Sequence, residues 1–206
     1  MKKLVFAISA IVFLAFVAKA QYNTSDIFNE DEIIFFGLDF SRAKLVGTDG
    51  FSDPQDIQNR LFDAWNNLFI SESDKYDLSE ATGISNVNIS FKKVNERNQL
   101  PDAEKLVTND DYSFGLDVVE EVIASYREKD HEGIGLLFVI ESFNKPQERG
   151  YMWVTFFDIS SGKVLLSEKM SGKARGFGIR NYYAKTYFNV IKEIGKTTWE
   201  KWSNKY

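Results

Sequence analysis

The chain has 206 residues, 30 acidic and 25 basic, for a net charge of −5, with one histidine and no cysteine. The missing cysteine excludes disulfides, a thiol nucleophile and the lipid-bearing residue of a bacterial lipoprotein, and one histidine alone cannot assemble a typical zinc site. Net negative charge argues against non-specific nucleic-acid binding, and without cross-links stability must come from packing, for which 18 Phe, 9 Tyr and 4 Trp supply large apolar area.

Met1-Lys2-Lys3 precedes an apolar run from Leu4 to Ala18, and Ala18-Lys19-Ala20 follows. Charged start, short apolar middle and small residues at the cleavage-specifying positions are the parts of a secretory signal peptide. The 15-residue run is shorter than the roughly 20 residues a helix needs to cross a bilayer. The expectation is an exported protein, periplasmic or secreted, with 1–20 a signal peptide and no spanning segment after it. Residues 21–31 are polar without period and read as a loose arm; 32–206 read as one α/β domain.

Ile33 to Phe40 is nearly all apolar, as in a strand covered on both faces. Ser41 to Ser52 reads as a loop. Asp53-Pro54 starts a helix, an acid at the N-cap followed by proline, and Ile57, Leu61, Ala64, Trp65 and Leu68 recur on one helical face. After a polar stretch to Gly83, Val87 to Val94 alternates like a half-buried strand. A second helix is expected over about 113–128, with Val118, Val119, Val122, Ile123 and Tyr126 buried. Gly133 to Phe143 is the most apolar strand and is placed centrally. Tyr151–Ile159 and Val164–Met170 form a hairpin across Ser160-Ser161-Gly162. A long helix, about 180–202, buries Ala184, Tyr187, Phe188, Ile191, Ile194, Thr198 and Trp202. The order is β-α-β-α-β-β-β-α. Right-handed crossovers and a terminal meander predict a five-stranded mixed sheet, 2-1-3-4-5, packed with three helices.

Four runs resemble a family of uncharacterised secreted proteins of Bacteroidetes bacteria: Gly37-Leu38-Asp39-Phe40-Ser41, residues 72–77 (Glu-Ser-Asp-Lys-Tyr-Asp), Phe157-Asp158-Ile159, and the long run 171–182 from Ser171 to Tyr182. The resemblance covers most of the chain after the signal and implies a bacterial, exported protein; it carries no activity. The terminal strand–turn–strand–helix also resembles, in architecture alone, the periplasmic domains of outer-membrane assembly and activator lipoproteins, whose lipid-bearing cysteine this chain lacks.

The charge is unevenly placed. Residues 21–160 hold 27 acidic and 12 basic side chains, whereas 161–206 hold 3 acidic and 10 basic. Lys173, Arg175 and Arg180 gather around Gly172, Gly176 and Gly178, ahead of a helix start. Bare glycine N–H groups, a helix dipole and three cations suit an anion or an acidic protein partner; the alternative is a glycine-rich turn that closes the last strand onto the helix. The glycine spacing imitates a dinucleotide loop, but such a loop opens its fold and here little chain follows it, so no cofactor is expected. Asp39, with Arg42 just after it, ends the first strand where ligands often sit in α/β sheets. His131 lies in a polar turn and reads as solvated. No metal site is expected.

These features leave three readings open: a non-catalytic extracytoplasmic binding or envelope-assembly protein with a basic C-terminal surface, a carboxylate-based hydrolase acting on a glycan near Asp39, and a small-ligand carrier with an aromatic-lined pocket. Intact-mass measurement of the protein from its native source is expected to show a chain beginning at Gln21. A full-length, membrane-embedded species would refute the signal-peptide reading.

Overall fold

Residues 33–40 are apolar on both sides of an extended chain. The computed structural model, which describes residues 21–206, buries them inside a sheet as β1 (Glu32–Asp39). The signal-peptide expectation lies outside the described residues. Chain order continues with β2 (Lys44–Val46), α1 (54–71), α2 (Leu78–Thr82), β3 (Asn86–Ile89), α3 (Lys92–Asn98), β4 (Val107–Thr108), α4 (Leu116–Ala124), β5 (Ile134–Asn144), β6 (Arg149–Asp158), β7 (Lys163–Lys173) and α5 (179–205). α1 and α5 each contain one π-helical turn, Ile57–Leu61 and Ile194–Thr198. Among the described residues no helix is long and apolar enough to cross a membrane.

β5 is buried at every position and joins the sheet together. β1 runs parallel to its first half, from Ile34 opposite Gly135 to Asp39 opposite Val139. β2 runs parallel to its end, from Lys44 opposite Ser142 to Val46 opposite Asn144. β1 and β2 therefore lie end to end along one edge of β5, with β3 outside β1 and β4 outside β2. β6 takes the other edge, antiparallel, and β7 pairs antiparallel with β6.

The mixed α/β character and the parallel pairing follow the sequence reading; the counts do not. Among the described residues there are seven strands instead of five and five helices instead of three. β2 and β4, three and two residues long, are too short to show alternation. The alternation over 87–94 stops at Ile89. Phe91, Val94 and Asn98 recur at helical spacing and turn inward on α3. α2 is a single turn capped by Asp77, which accepts the Glu80 N–H at 2.8 Å. The 21–31 segment is not loose. Asn23 and Asp26 close a capping box on a 3-10 turn (Thr24–Phe28), Ile27 is fully buried, and Phe28 packs against Trp199 at 5.0 Å.

α1 and α5 cover one face of the sheet. Asp53 caps α1 by accepting the Asp56 N–H at 2.9 Å, with Pro54 in the first turn. Trp65 meets Phe143 edge-on at 5.1 Å, and Phe40 stacks on Phe62 at 4.1 Å. α5 approaches β6 and β7 closely because Gly150 and Gly172 are bare: a Cβ at Gly172 would collide with the Thr186 carbonyl. α4 and the turn after it cover the opposite face, where Tyr126 packs against Phe36 at 5.5 Å.

The stretch of β1 between the ends of β3 and β4 has no strand outside it, and two buried amides take a strand's place. Asn66 of α1 accepts the Leu38 N–H at 2.7 Å and donates to its carbonyl at 3.2 Å. Asn98 of α3 accepts the Phe40 N–H at 2.7 Å and donates to Leu38 O at 3.0 Å. Truncating Asn66 to Ala strands a buried N–H and is expected to cost about 1–3 kcal/mol. Trp65→Ala, which empties a fully buried site, is expected to cost about 3–5 kcal/mol. Urea unfolding measures both; an unchanged midpoint for Trp65→Ala would place that ring outside the core.

Candidate functional site

The turn joining β7 to α5 is held by backbone bonds, Ala174 N–H to Glu148 O at 2.7 Å and Arg175 N–H to Tyr182 O at 3.2 Å. Gly176 and Gly178 have φ of 137° and 75°, a region that side chains resist, so glycine at these places is required by the backbone. Gly178 is the N-cap of α5 and offers no side-chain cap. The first bond of the helix is Tyr182 N–H to Gly178 O at 2.9 Å, which leaves the N–H groups of Ile179, Arg180 and Asn181 without intrahelical acceptors.

Ile179, the first of these residues, lines a cleft of about 340 Å³. Gly176, Gly178, Tyr182 and Tyr183 line it from the helix side, and Asp49, Gly50 and Lys145 from the loops beyond β2 and β5. Lys145 lays its stem where a Cβ on Gly50 would stand, and its Nζ lies 4.1 Å from the centre of the Tyr182 ring. Tyr183 is 1% exposed, its ring stacked on Phe143 at 4.6 Å and on Phe51 at 5.2 Å. The hydroxyls of both Tyr182 and Tyr183 are buried with no hydrogen-bond partner. An orphaned buried hydroxyl costs about 1–3 kcal/mol, and both of these belong to residues that line the cleft. Burial, and then the neighbouring Tyr182, hold the Tyr183 phenol far above its ordinary pKa, so it stays a donor.

Of the residues singled out by sequence, Gly176 and Gly178 form the cleft rim and the cations do not share it. Arg180 turns to Glu72 at 3.8 Å and to Asn181 at 3.2 Å. Lys173 ends β7 opposite Arg149, with its carbonyl accepting from Asn189 at 2.9 Å. Arg175 is exposed and adds its charge to the surroundings of Lys185. The cation of the cleft is Lys145, which the sequence marked only as the start of a turn. Tyr182 and Tyr183 are two adjacent phenols near the start of an uncapped helix, a pattern legible in the sequence.

Asp39 sits elsewhere, at the end of β1, and is fully buried. One carboxylate oxygen accepts the Ser41 N–H at 2.8 Å; the other accepts Arg97 Nε and the Tyr126 hydroxyl, both at 2.7 Å. Arg97 continues to Ser41 Oγ at 2.7 Å. Arg42 points away to a surface pair with Glu121 at 3.2 Å. His131 is exposed, 3.7 Å from Glu128. No protein-family model matches the chain, and no curated protein or solved structure matches it.

Burial, followed by the charge of Asp39, raises the Tyr126 pKa well above its ordinary value, and burial does the same for Tyr187. Both phenols stay neutral in the folded protein at a pH where the unfolded chain ionises them. Their contribution to stability is therefore complete below about pH 10 and is lost progressively above it. Urea midpoints are expected to hold steady up to about pH 9 and to fall beyond about pH 10, less steeply in Tyr126→Phe. A midpoint flat through that range would show that these phenols are not sequestered.

Proposed function

We propose that this is a non-catalytic extracytoplasmic binding protein whose ligand presents an anionic group to the cleft at the start of α5. The observation that carries the reading is the pair of unpartnered phenol hydroxyls beside free helix N–H groups and Lys145. All of these are donors, and a phosphate, sulfate or carboxylate oxygen is the acceptor that satisfies them. Asp49, on the opposite rim, suits a ligand that carries a hydroxyl or N–H donor next to its charge. Placement outside the cytoplasm rests on the signal-like N-terminus and on the resemblance to secreted Bacteroidetes proteins.

The hydrolase reading is weaker because Asp39, its acid, is already engaged by three donors and closed off from solvent. The carrier reading is weaker because the aromatic side chains pack on one another. The contacting rings of Phe40, Phe62, Trp65, Phe143 and Tyr183 stand 4.1–6.4 Å apart as one packed cluster.

Titration calorimetry of the full chain with inorganic phosphate and with a phosphomonoester is the test. Binding is expected to weaken as salt rises, since exposed charges are screened beyond about 10 Å at 0.1 M. Tyr183→Phe removes one donor and no packing. It is expected to weaken binding about tenfold, with thermal stability equal or higher, because a buried orphan disappears. Lys145→Ala is expected to weaken binding and flatten its salt dependence. Unchanged affinity in Tyr183→Phe would refute this site.

A further inference from the structure

A second surface lies further along α5, away from the cleft. The ring of Phe188, expected from its spacing to be core, is only partly buried and is surrounded by ammonium groups. Nζ of Lys185, Lys192 and Lys75 lie 3.5, 5.5 and 6.0 Å from its centre. Lys185 is held below its ordinary pKa by partial burial and then by the charges of Lys75, Lys192 and Arg175. Among the described residues no carboxylate forms an ion pair with Lys185, Lys192 or Lys196.

Phe188 is also part of the floor of a groove of about 480 Å³, between α5 and the segment joining α1 to α2. Ile191 and Ala81 complete an apolar floor. α5 brings Lys192 and Lys196 to one wall; the joining segment brings Asp74, Asp77 and Lys75, the last paired with Glu72, and α2 brings Glu80. Opposite charges line the groove, yet among the described residues no ion pair crosses it. The π-helical turn Ile194–Thr198 belongs to the lysine wall, and Gly195 admits Ala81 of α2 closely, since a Cβ there would stand 3.1 Å from the Ala81 Cα.

We infer that this groove binds a saccharide carrying acid groups. The three surfaces match three parts of such a ligand. Sugar hydroxyls donate to the Asp74, Asp77 and Glu80 carboxylates, the C–H face of a ring lies on Phe188 and Ile191, and the acid group pairs with Lys192 and Lys196. An acidic peptide meets repulsion from three carboxylates and lacks the hydroxyls to satisfy them. A neutral saccharide leaves the lysines uncompensated.

The test is titration of the full chain with a galacturonic acid hexamer, a sulfated hexasaccharide, a neutral galactose hexamer and hexaglutamate. An acidic hexasaccharide is expected to bind at least about tenfold tighter than either control, and to lose affinity as salt rises. Lys192→Gln with Lys196→Gln is expected to lower that affinity about tenfold or more, with an unchanged melting temperature. Asp74→Asn is expected to weaken the acidic saccharide and strengthen hexaglutamate, a reversal that non-specific charge attraction does not produce. Phe188→Ala is expected to weaken binding; Phe188→Tyr, which keeps a ring face, retains it if the variant melts as the parent does. Hexaglutamate binding as tightly as the acidic sugars, the neutral hexamer binding equally well, or failure of both acidic hexasaccharides to bind folded protein would each overturn the inference.

Discussion

Two asparagine side chains hold the sheet where it lacks a strand. Leu38 to Phe40 lies between the end of β3 and the beginning of β4, and its inward setting leaves no water to satisfy the backbone. Asn66 and Asn98 supply the missing donors and acceptors, and Gln58 fixes the loop after Asn98 by donating to Asn98 O at 3.2 Å and Pro101 O at 2.7 Å. The residue beside Asn66 carries this constraint across the molecule. Trp65 donates its indole N–H to Arg180 O at 2.8 Å and stands 6.4 Å from Tyr183. The turn of α1 that completes β1 therefore also sets the start of α5 and the depth of the cleft before it.

The Asp39–Arg97 pair is the second tie. Desolvating two charges is unfavourable unless their remaining hydrogen-bonding capacity is filled, and here the carboxylate takes three donors. Arg97 comes from α3 and Tyr126 from the turn after α4, so one carboxylate joins β1 to the helical layer on its outer flank and to the layer on the opposite face. Its polar groups are completed by the protein itself. The Tyr182 and Tyr183 hydroxyls are also buried, and among the described residues they find no hydrogen-bond partner. That contrast separates a polar cluster completed by the fold from one the fold leaves open.

Much of this was legible in the sequence where one physical cause dominated. The near-continuous apolar runs of β1 and β5, the Asp53-Pro54 helix start and the β6–β7 hairpin each announce themselves, and the five expected strands lie side by side as β3, β1, β5, β6 and β7. Short elements did not announce themselves. β2 and β4 exist because β5 extends past β1 and offers backbone partners, a tertiary cause with no local pattern. Phe188 shows the limit of periodicity: it falls on the apolar side of the α5 pattern, yet it is only partly buried, with three lysine ammonium groups around its ring. For the cleft, glycine spacing located the rim. The cation came from Lys145, distant in sequence and brought in by the turn between β5 and β6, while Arg180 was drawn away by Glu72.

β5 has a consequence for the order in which the chain can assemble. The four strands before it form two separate pairs, β1 with β3 and β2 with β4, and nothing in the sheet links one pair to the other until β5 lies beside both. Isolated pairs of such short strands are unstable in water. A polypeptide emerging amino end first thus has no sheet to close until residue 144 is free, and it then closes through contacts between distant parts of the chain, which form slowly. Until that point the sheet has no strand that joins its two halves.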